Sequence, residues 1–161
     1  MTAIRPYSPG DRAVLHGPVL DLHETLRPYD ADLAAGEAII ERYLDGLLSR
    51  VDETGGAVFL ADDNGRVVGY VCVWGSVVPD DPDERQDPYS FMAELFVLPV
   101  FRRSGVGSLL VERAEAFARE GGAYKMELKV LARNESTLRF YEGHGYVPRV
   151  SGDEQTHVMC T

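Results

Sequence analysis

The stretch from Glu94 to Glu120 constrains the fold most strongly. Apolar residues run through Leu95-Phe96-Val97-Leu98 to Pro99, and a short basic segment follows. Gly105-Val106-Gly107 then precedes apolar positions at helical spacing: Val106, Leu109, Leu110, Ala114, Phe117 and Ala118. This reads as strand, turn and helix. Such a junction suits an anion, because the first turn of a helix offers N–H groups without intrahelical partners at the positive end of the helix dipole. Gly105 and Gly107 would let a phosphate approach the backbone, with Arg102 and Arg103 beside it.

Spacing separates the phosphate-binding possibilities. A P-loop needs Gly-Lys-Ser/Thr, but Gly107 is followed by Ser108-Leu109. A dinucleotide fingerprint needs a third Gly or Ala where Leu110 stands, and Pro99 and the arginines separate the strand from the first glycine. What remains is Arg102-Arg103-Ser104-Gly105-Val106-Gly107 after a Val-Leu-Pro strand end. It resembles the pyrophosphate loop of the Gcn5-related N-acetyltransferase (GNAT) family. The resemblance implies that Arg102, Arg103, Ser104, Gly105, Val106, Gly107 and Ser108 hold the diphosphate of acetyl-CoA.

A second segment carries the same resemblance. Asn134-Glu135-Ser136-Thr137-Leu138-Arg139-Phe140-Tyr141, closed by Gly143 to Tyr146, is similar to the family's Asn-x-x-Ala…Phe-Tyr pattern, with Thr137 in place of the small alanine. Asn134 and Tyr141 stand seven residues apart and so share a helix face. The resemblance implies that Asn134 contacts acetyl-CoA and that the Tyr141 hydroxyl approaches its sulfur.

A chain of 161 residues, 45% of them hydrophobic, suits one well-buried core, so residues 1–161 are expected to form a single domain. The net charge of −10 argues against general nucleic-acid binding and favours cationic partners. No apolar run approaches the ~20 residues of a membrane span, and Met1 to Pro6 lacks a signal-peptide core. The expectation is a cytoplasmic protein without membrane contact. Cys72 and Cys160 form no Cys-x-x-Cys, and the four histidines form no metal constellation, so no metal is expected.

Along the chain, Thr2 to Tyr7 reads as an edge strand and Asp11 as the cap of a helix that Gly17-Pro18 should kink or break. Asp21 to Asp30 reads as a mobile connection, followed by a helix from Asp32 or Gly36 to Arg50 with Ile39, Ile40, Tyr43, Leu44, Leu47 and Leu48 on its apolar face. Ala57–Ala61 and Arg66–Trp74 form a hairpin across Asn64-Gly65, the second strand apolar enough to be central. Pro79 to Pro88 is a polar surface loop, and Ser90–Leu98 is a strand. After the helix ending at Gly121-Gly122 come a strand at Tyr124–Leu131 with one apolar face, a helix capped by Asn134 and running through Glu142, and strands at Tyr146–Val150 and Thr156–Cys160 joined by a turn at Ser151 to Glu154. This order is similar to that of the GNAT fold. It implies an α/β (α+β) domain with a mixed, mostly antiparallel central sheet of about seven strands and helices on both faces.

Acetyl transfer to an amine needs a neutral nucleophile, a polarised thioester and a proton for the departing thiolate. Glu94, the one carboxylate in an apolar strand, should have a raised pKa and suits a general base or a ligand for the substrate ammonium. By resemblance, Leu95, Phe96 and Val97 would border acetyl-CoA, a backbone N–H near Phe96 or Val97 would polarise the thioester carbonyl, and Tyr141 would be the general acid. His23, Glu24 and Tyr29 are the candidate acceptor contacts, in the N-terminal region where the resemblance is weakest. The reaction expected is direct transfer from acetyl-CoA to a primary amine, with a small cationic amine favoured by the acidic residues nearby. A peptide amine and a non-catalytic acyl-CoA sensor remain as alternatives, and the C-terminal strands could supply a homodimer interface.

Overall fold

A computed structural model describes residues 1–131, 133–151 and 155–160, the last two strands by backbone alone from residue 150 onward. In chain order the elements are β1 (Thr2–Pro6), α1 (Arg12–Leu26), α2 (Gly36–Glu53), β2 (Ala57–Asp63), β3 (Arg66–Val77), β4 (Tyr89–Val97), α3 (Val106–Glu120), β5 (Met126–Leu131), α4 (Glu135–Gly143), β6 (Val147–Ser151) and β7 (Gln155–Cys160). The turn expected at 152–154 and the Cys160 side chain lie outside what is described.

The strands form one seven-stranded sheet in the order β1-β2-β3-β4-β5-β7-β6. Every neighbouring pair is antiparallel except β4 and β5. Asn64 and Gly65, with φ of 55° and 88°, give the β2–β3 hairpin the two left-handed residues that a tight turn requires. On one face α1 and α2 bury Leu15, Val19, Ile40, Leu44 and Leu47 against Leu60, Tyr70 and Phe96. On the other, α3 and α4 bury Val106, Leu110, Val111, Ala114 and Tyr141 against Val71, Val73, Met92 and Leu128. The apolar stripes of α2 and α3 follow the helical spacing of their sequences.

Two expectations for the first helix are corrected. Pro18 does not break α1, which runs from Arg12 to Leu26 with Pro18 buried inside it. Burial of Leu15, Pro18 and Val19 against α2 and the sheet offsets the missing backbone donor. Asp21 to Asp30, expected as a mobile connection between helices, is instead largely helical: α1 continues to Leu26, and a short 3-10 turn follows at Arg27–Tyr29. Among the described residues, no helix is long and apolar enough to cross a membrane.

The polar face of the 124–131 segment is exposed at Lys129 but buried at its start. Glu127 is 3% exposed and Lys125 6% exposed. The Glu127 carboxylate accepts from Lys125 and, at 2.7 Å, from Arg149, whose other arm meets Glu84 of the 79–88 loop at 2.8 Å. The Lys125 ammonium also stands 4.6 Å from the Tyr89 ring centroid. Removing one partner from such a buried network leaves a desolvated charge, at a cost of about 3–5 kcal/mol. Glu127→Ala should therefore lower the urea midpoint clearly, whereas an unchanged midpoint in equilibrium denaturation would show that the network contributes little.

Candidate active site

Pairing between β4 and β5 covers two rungs, Ser90 with Met126 and Phe91 with Glu127. Beyond Phe91 the two strands have no further partners in one another, although β4 runs on to Val97 and β5 to Leu131. The parallel strands therefore part. Where they part, β4 carries a bulge: Cys72 pairs with Glu94 but Val73 with Met92, so Ala93 is the extra residue. Met92 packs with the α3–α4 core, while Glu94, turned by the bulge, lies on the α1–α2 face.

Backbone groups beyond the bulge also face the gap. Leu98 donates to Val68 on β3 at 2.8 Å, so one residue earlier on an alternating strand Val97 turns its N–H and C=O toward β5. Its carbonyl accepts from Arg102 Nε at 2.8 Å. Of Phe96 and Val97, Phe96 turns its backbone groups toward Tyr70 on β3, whereas Val97 turns its own into the gap.

Glu94 is half-buried and accepts from two phenols. Tyr43 Oη lies 3.2 and 3.3 Å from its two carboxylate oxygens, and Tyr70 Oη lies 3.4 Å from one of them. Burial pushes Glu94 up to about 7, against the lowering effect of the two hydroxyls. The same burial, together with the Glu94 charge, raises Tyr43, Tyr70 and Cys72. On the opposite face Tyr141 is 7% exposed, and its hydroxyl reaches Met92 Sδ at 3.9 Å. Burial raises its pKa as well, so the phenol keeps its proton. The bulge at Ala93 thus stands between a carboxylate on one face and a protonated phenol on the other.

The start of α3 is open. Gly105 precedes it with φ of 88°, a left-handed conformation that favours glycine, and has no side chain to cap the helix. The first helical backbone bond runs from Leu109 N–H to Gly105, so the N–H groups of Val106, Gly107 and Ser108 precede the ladder. A Cβ on Gly107 would stand 3.3 Å from the Phe140 ring and 3.9 Å from Val97. Gly107 therefore lets α3 close on both α4 and the gap. Arg103 is left-handed as well, with φ of 61°. Arg102 folds back over Phe96, 5.5 Å from the ring centroid, and so belongs to the mouth of the gap as much as to the loop. Ser104 donates to the Phe101 carbonyl.

Asn134 is the N-cap of α4, as its place in the sequence leads one to expect, its Oδ1 accepting from Thr137 N–H at 3.4 Å. His23 and Glu24 have their polar atoms engaged within the chain. His23 Nε2 donates to the Ala34 carbonyl at 2.8 Å, and Glu24 Oε1 accepts from Gly36 N–H at 2.6 Å. Tyr29, 38% exposed on the following turn, remains open to solvent.

Sequence reasoning missed Tyr43, Tyr70 and the bond between Ser108 Oγ and His144 Nε2, 3.1 Å long, that ties α3 to the end of α4. The available signal for Tyr43 was a hydroxyl on an otherwise apolar helix stripe, and for Tyr70 a phenol in a buried strand, which usually needs a partner.

Residues 20–146 match the model of the acetyltransferase (GNAT) family. The chain belongs to the GNAT family. Two GNAT-like relatives are uncharacterized N-acetyltransferases from archaea. One, from Archaeoglobus fulgidus, is 37% identical over 105 residues, 63% of this chain and 65% of its own. The other, from Methanocaldococcus jannaschii, is 33% identical over 107 residues, 65% of this chain and 43% of its own. The chain thus spans less than two thirds of the length of these relatives. In fold it is similar to the PaiA N-acetyltransferase of Thermoplasma acidophilum, solved in complex with coenzyme A. The TM-score is 0.73 at 16% identity, over 99% of this chain and 98% of that one.

Gly107→Asp should abolish CoA binding measured by calorimetry, because it adds both bulk against Phe140 and a negative charge at the helix start. Wild-type CoA affinity in this variant would remove the α3 start from the site.

Proposed function

We propose that this GNAT protein is an acetyl-CoA-dependent N-acetyltransferase that acts on a primary amine by direct transfer in a ternary complex. The observation that carries this reading is the gap between β4 and β5, bordered by Glu94 on one face and the Tyr141 hydroxyl on the other. Acetyl-CoA fits the groups present. The uncapped N–H groups of Val106 to Ser108, with Arg103 beside them, match a diphosphate, and the Val97 N–H is available to a carbonyl in the gap. When bound, acetyl-CoA would supply an activated acyl group and a thiolate leaving group.

The chain's own residues would then divide the work. Glu94, with a pKa near 7, takes a proton from the acceptor ammonium and leaves a neutral amine as nucleophile. Val97 N–H donates to the acyl oxygen as charge develops there. Tyr141, held protonated by burial, gives its proton to the departing sulfur. Asn134 caps the start of α4, and Ser108 ties the first turn of α3 to His144 at the end of α4.

For the acceptor we favour a small cationic amine. Tyr29 and Tyr43 stand half-open on the α1–α2 face, Asp30 and Asp32 follow Tyr29, and the chain carries a net charge of −10. The test is release of free thiol from acetyl-CoA against a panel of polyamines, aminoglycosides and lysine peptides. Release with the polycations is expected; CoA binding without release for any amine would make the chain a sensor.

With an active amine, kcat/KM should fall about tenfold per pH unit below about 7 as Glu94 becomes protonated. A rate flat down to pH 5 would contradict the base assignment. Tyr141→Phe should lower kcat by about 10²–10⁴-fold with CoA affinity little changed. Wild-type turnover would take Tyr141 out of the mechanism.

A further inference from the structure

The two hydroxyls on Glu94 come from different layers of the fold. Tyr70 is fully buried on β3, fixed by the sheet. Tyr43 is on α2, whose start is held to the end of α1 by side chains at two consecutive α1 positions. His23 is 8% exposed, and its Nε2 must donate to the Ala34 carbonyl, since a carbonyl only accepts. Glu24 accepts the Gly36 N–H with one oxygen and the Arg27 guanidinium with the other, at 2.9 Å. Gly36 lies so tightly in this junction that an added Cβ would stand 2.5 Å from Leu20 and 2.8 Å from Glu24. The His23 ring then meets the Tyr43 ring at 5.8 Å between centroids.

We propose that Tyr43 and Tyr70 are positioning residues that form a two-hydroxyl cradle orienting the Glu94 carboxylate, and that the latch of His23 and Glu24 on the start of α2 keeps Tyr43 in that cradle. The proposal rests on the acetyltransferase reading for its catalytic meaning, though not for its geometry. The groups facing Glu94 are Tyr43 from α2, Tyr70 and Cys72 from β3, and, through Tyr43, His23 from α1. Both phenols stabilise the ionised carboxylate by hydrogen bonding, which opposes the effect of burial. A rigid sheet hydroxyl and a helix-borne one therefore share a single carboxylate, and only the second depends on how α1 meets α2.

The cradle sets the proton affinity of Glu94 in a direction that experiment can read. Replacing either tyrosine by phenylalanine keeps the ring packing and removes one donor, so the carboxylate becomes harder to ionise. The test is a titration of carboxyl-¹³C-glutamate by NMR, with the Glu94 signal assigned by its loss in Glu94→Gln, alongside pH profiles of kcat/KM for the same proteins. Tyr43→Phe and Tyr70→Phe should each move the Glu94 midpoint upward by about half a unit or more. The double variant should move it further, and the acid limb of the rate profile should shift by the same amount. Gly36→Ala, which crowds the latch without touching Glu94, should also move the midpoint upward.

A wild-type midpoint in Tyr43→Phe would overturn the cradle, and a wild-type midpoint in Gly36→Ala would overturn the latch. A midpoint that moves while the rate limb stays fixed would support the cradle and contradict Glu94 as the base. Failure of the inference and failure of the function are thereby separable.

Discussion

After the rung between Phe91 and Glu127, β4 and β5 stop pairing, and the candidate site depends on that loss of backbone hydrogen bonds inside a sheet that is otherwise continuous. A parallel pair in mid-sheet normally satisfies its N–H and C=O groups across the ladder. Here Arg102 takes the Val97 carbonyl, and the Val97 N–H turns into the gap. The cost is contained because both flanks are firmly built: β3 pairs along β4 on one side, and β7 pairs along the whole of β5 on the other. Below the gap, Lys125, Glu127, Arg149 and Glu84 close the joint with buried charge.

The bulge at Ala93 gives this gap two chemically distinct sides. Without the extra residue, strict alternation would send Glu94 toward the same core as Met92 and Tyr141. With it, the carboxylate meets two phenols under α1 and α2, and Tyr141 is left in an apolar setting under α4. The environments separate the two groups: one is held near 7 and can exchange its proton at neutral pH, whereas the other keeps its proton. Half-burial of Glu94 also has a thermodynamic consequence. Because its folded pKa is raised, the stability it confers is present while it is protonated and is lost as pH rises from the ordinary carboxylate range toward 7. Tyr43 and Tyr70 limit that loss.

The strand, turn and helix at Glu94 to Glu120 were legible because each feature is local: apolar spacing, a proline, two glycines and a stop at Gly121-Gly122. The same holds for the Asn64-Gly65 hairpin and for the apolar face of α2. Glu94 stood out because a lone carboxylate in an apolar strand breaks its own pattern. Non-local features were not legible. Tyr43 and Tyr70 matter through contacts 51 and 24 residues away from them in the chain, which no periodicity encodes. Pro18 gave a misleading local signal, since tertiary burial of α1 overrode a propensity read correctly from the sequence. By sequence His23 and Glu24 are candidate acceptor contacts, yet the His23 Nε2 and the Glu24 carboxylate fasten α1 to α2, a role visible only once Ala34 and Gly36 are brought beside them.

The most direct test of this account is where CoA lands. In a ¹⁵N-labelled sample titrated with CoA and then with acetyl-CoA, the amides of Arg103 to Ser108 should shift with both ligands. The amide of Val97 should respond further to the acetylated one. Shifts centred elsewhere, with 103–108 and 97 unmoved at saturation, would contradict the assignment of the β4–β5 gap and the α3 start as the site.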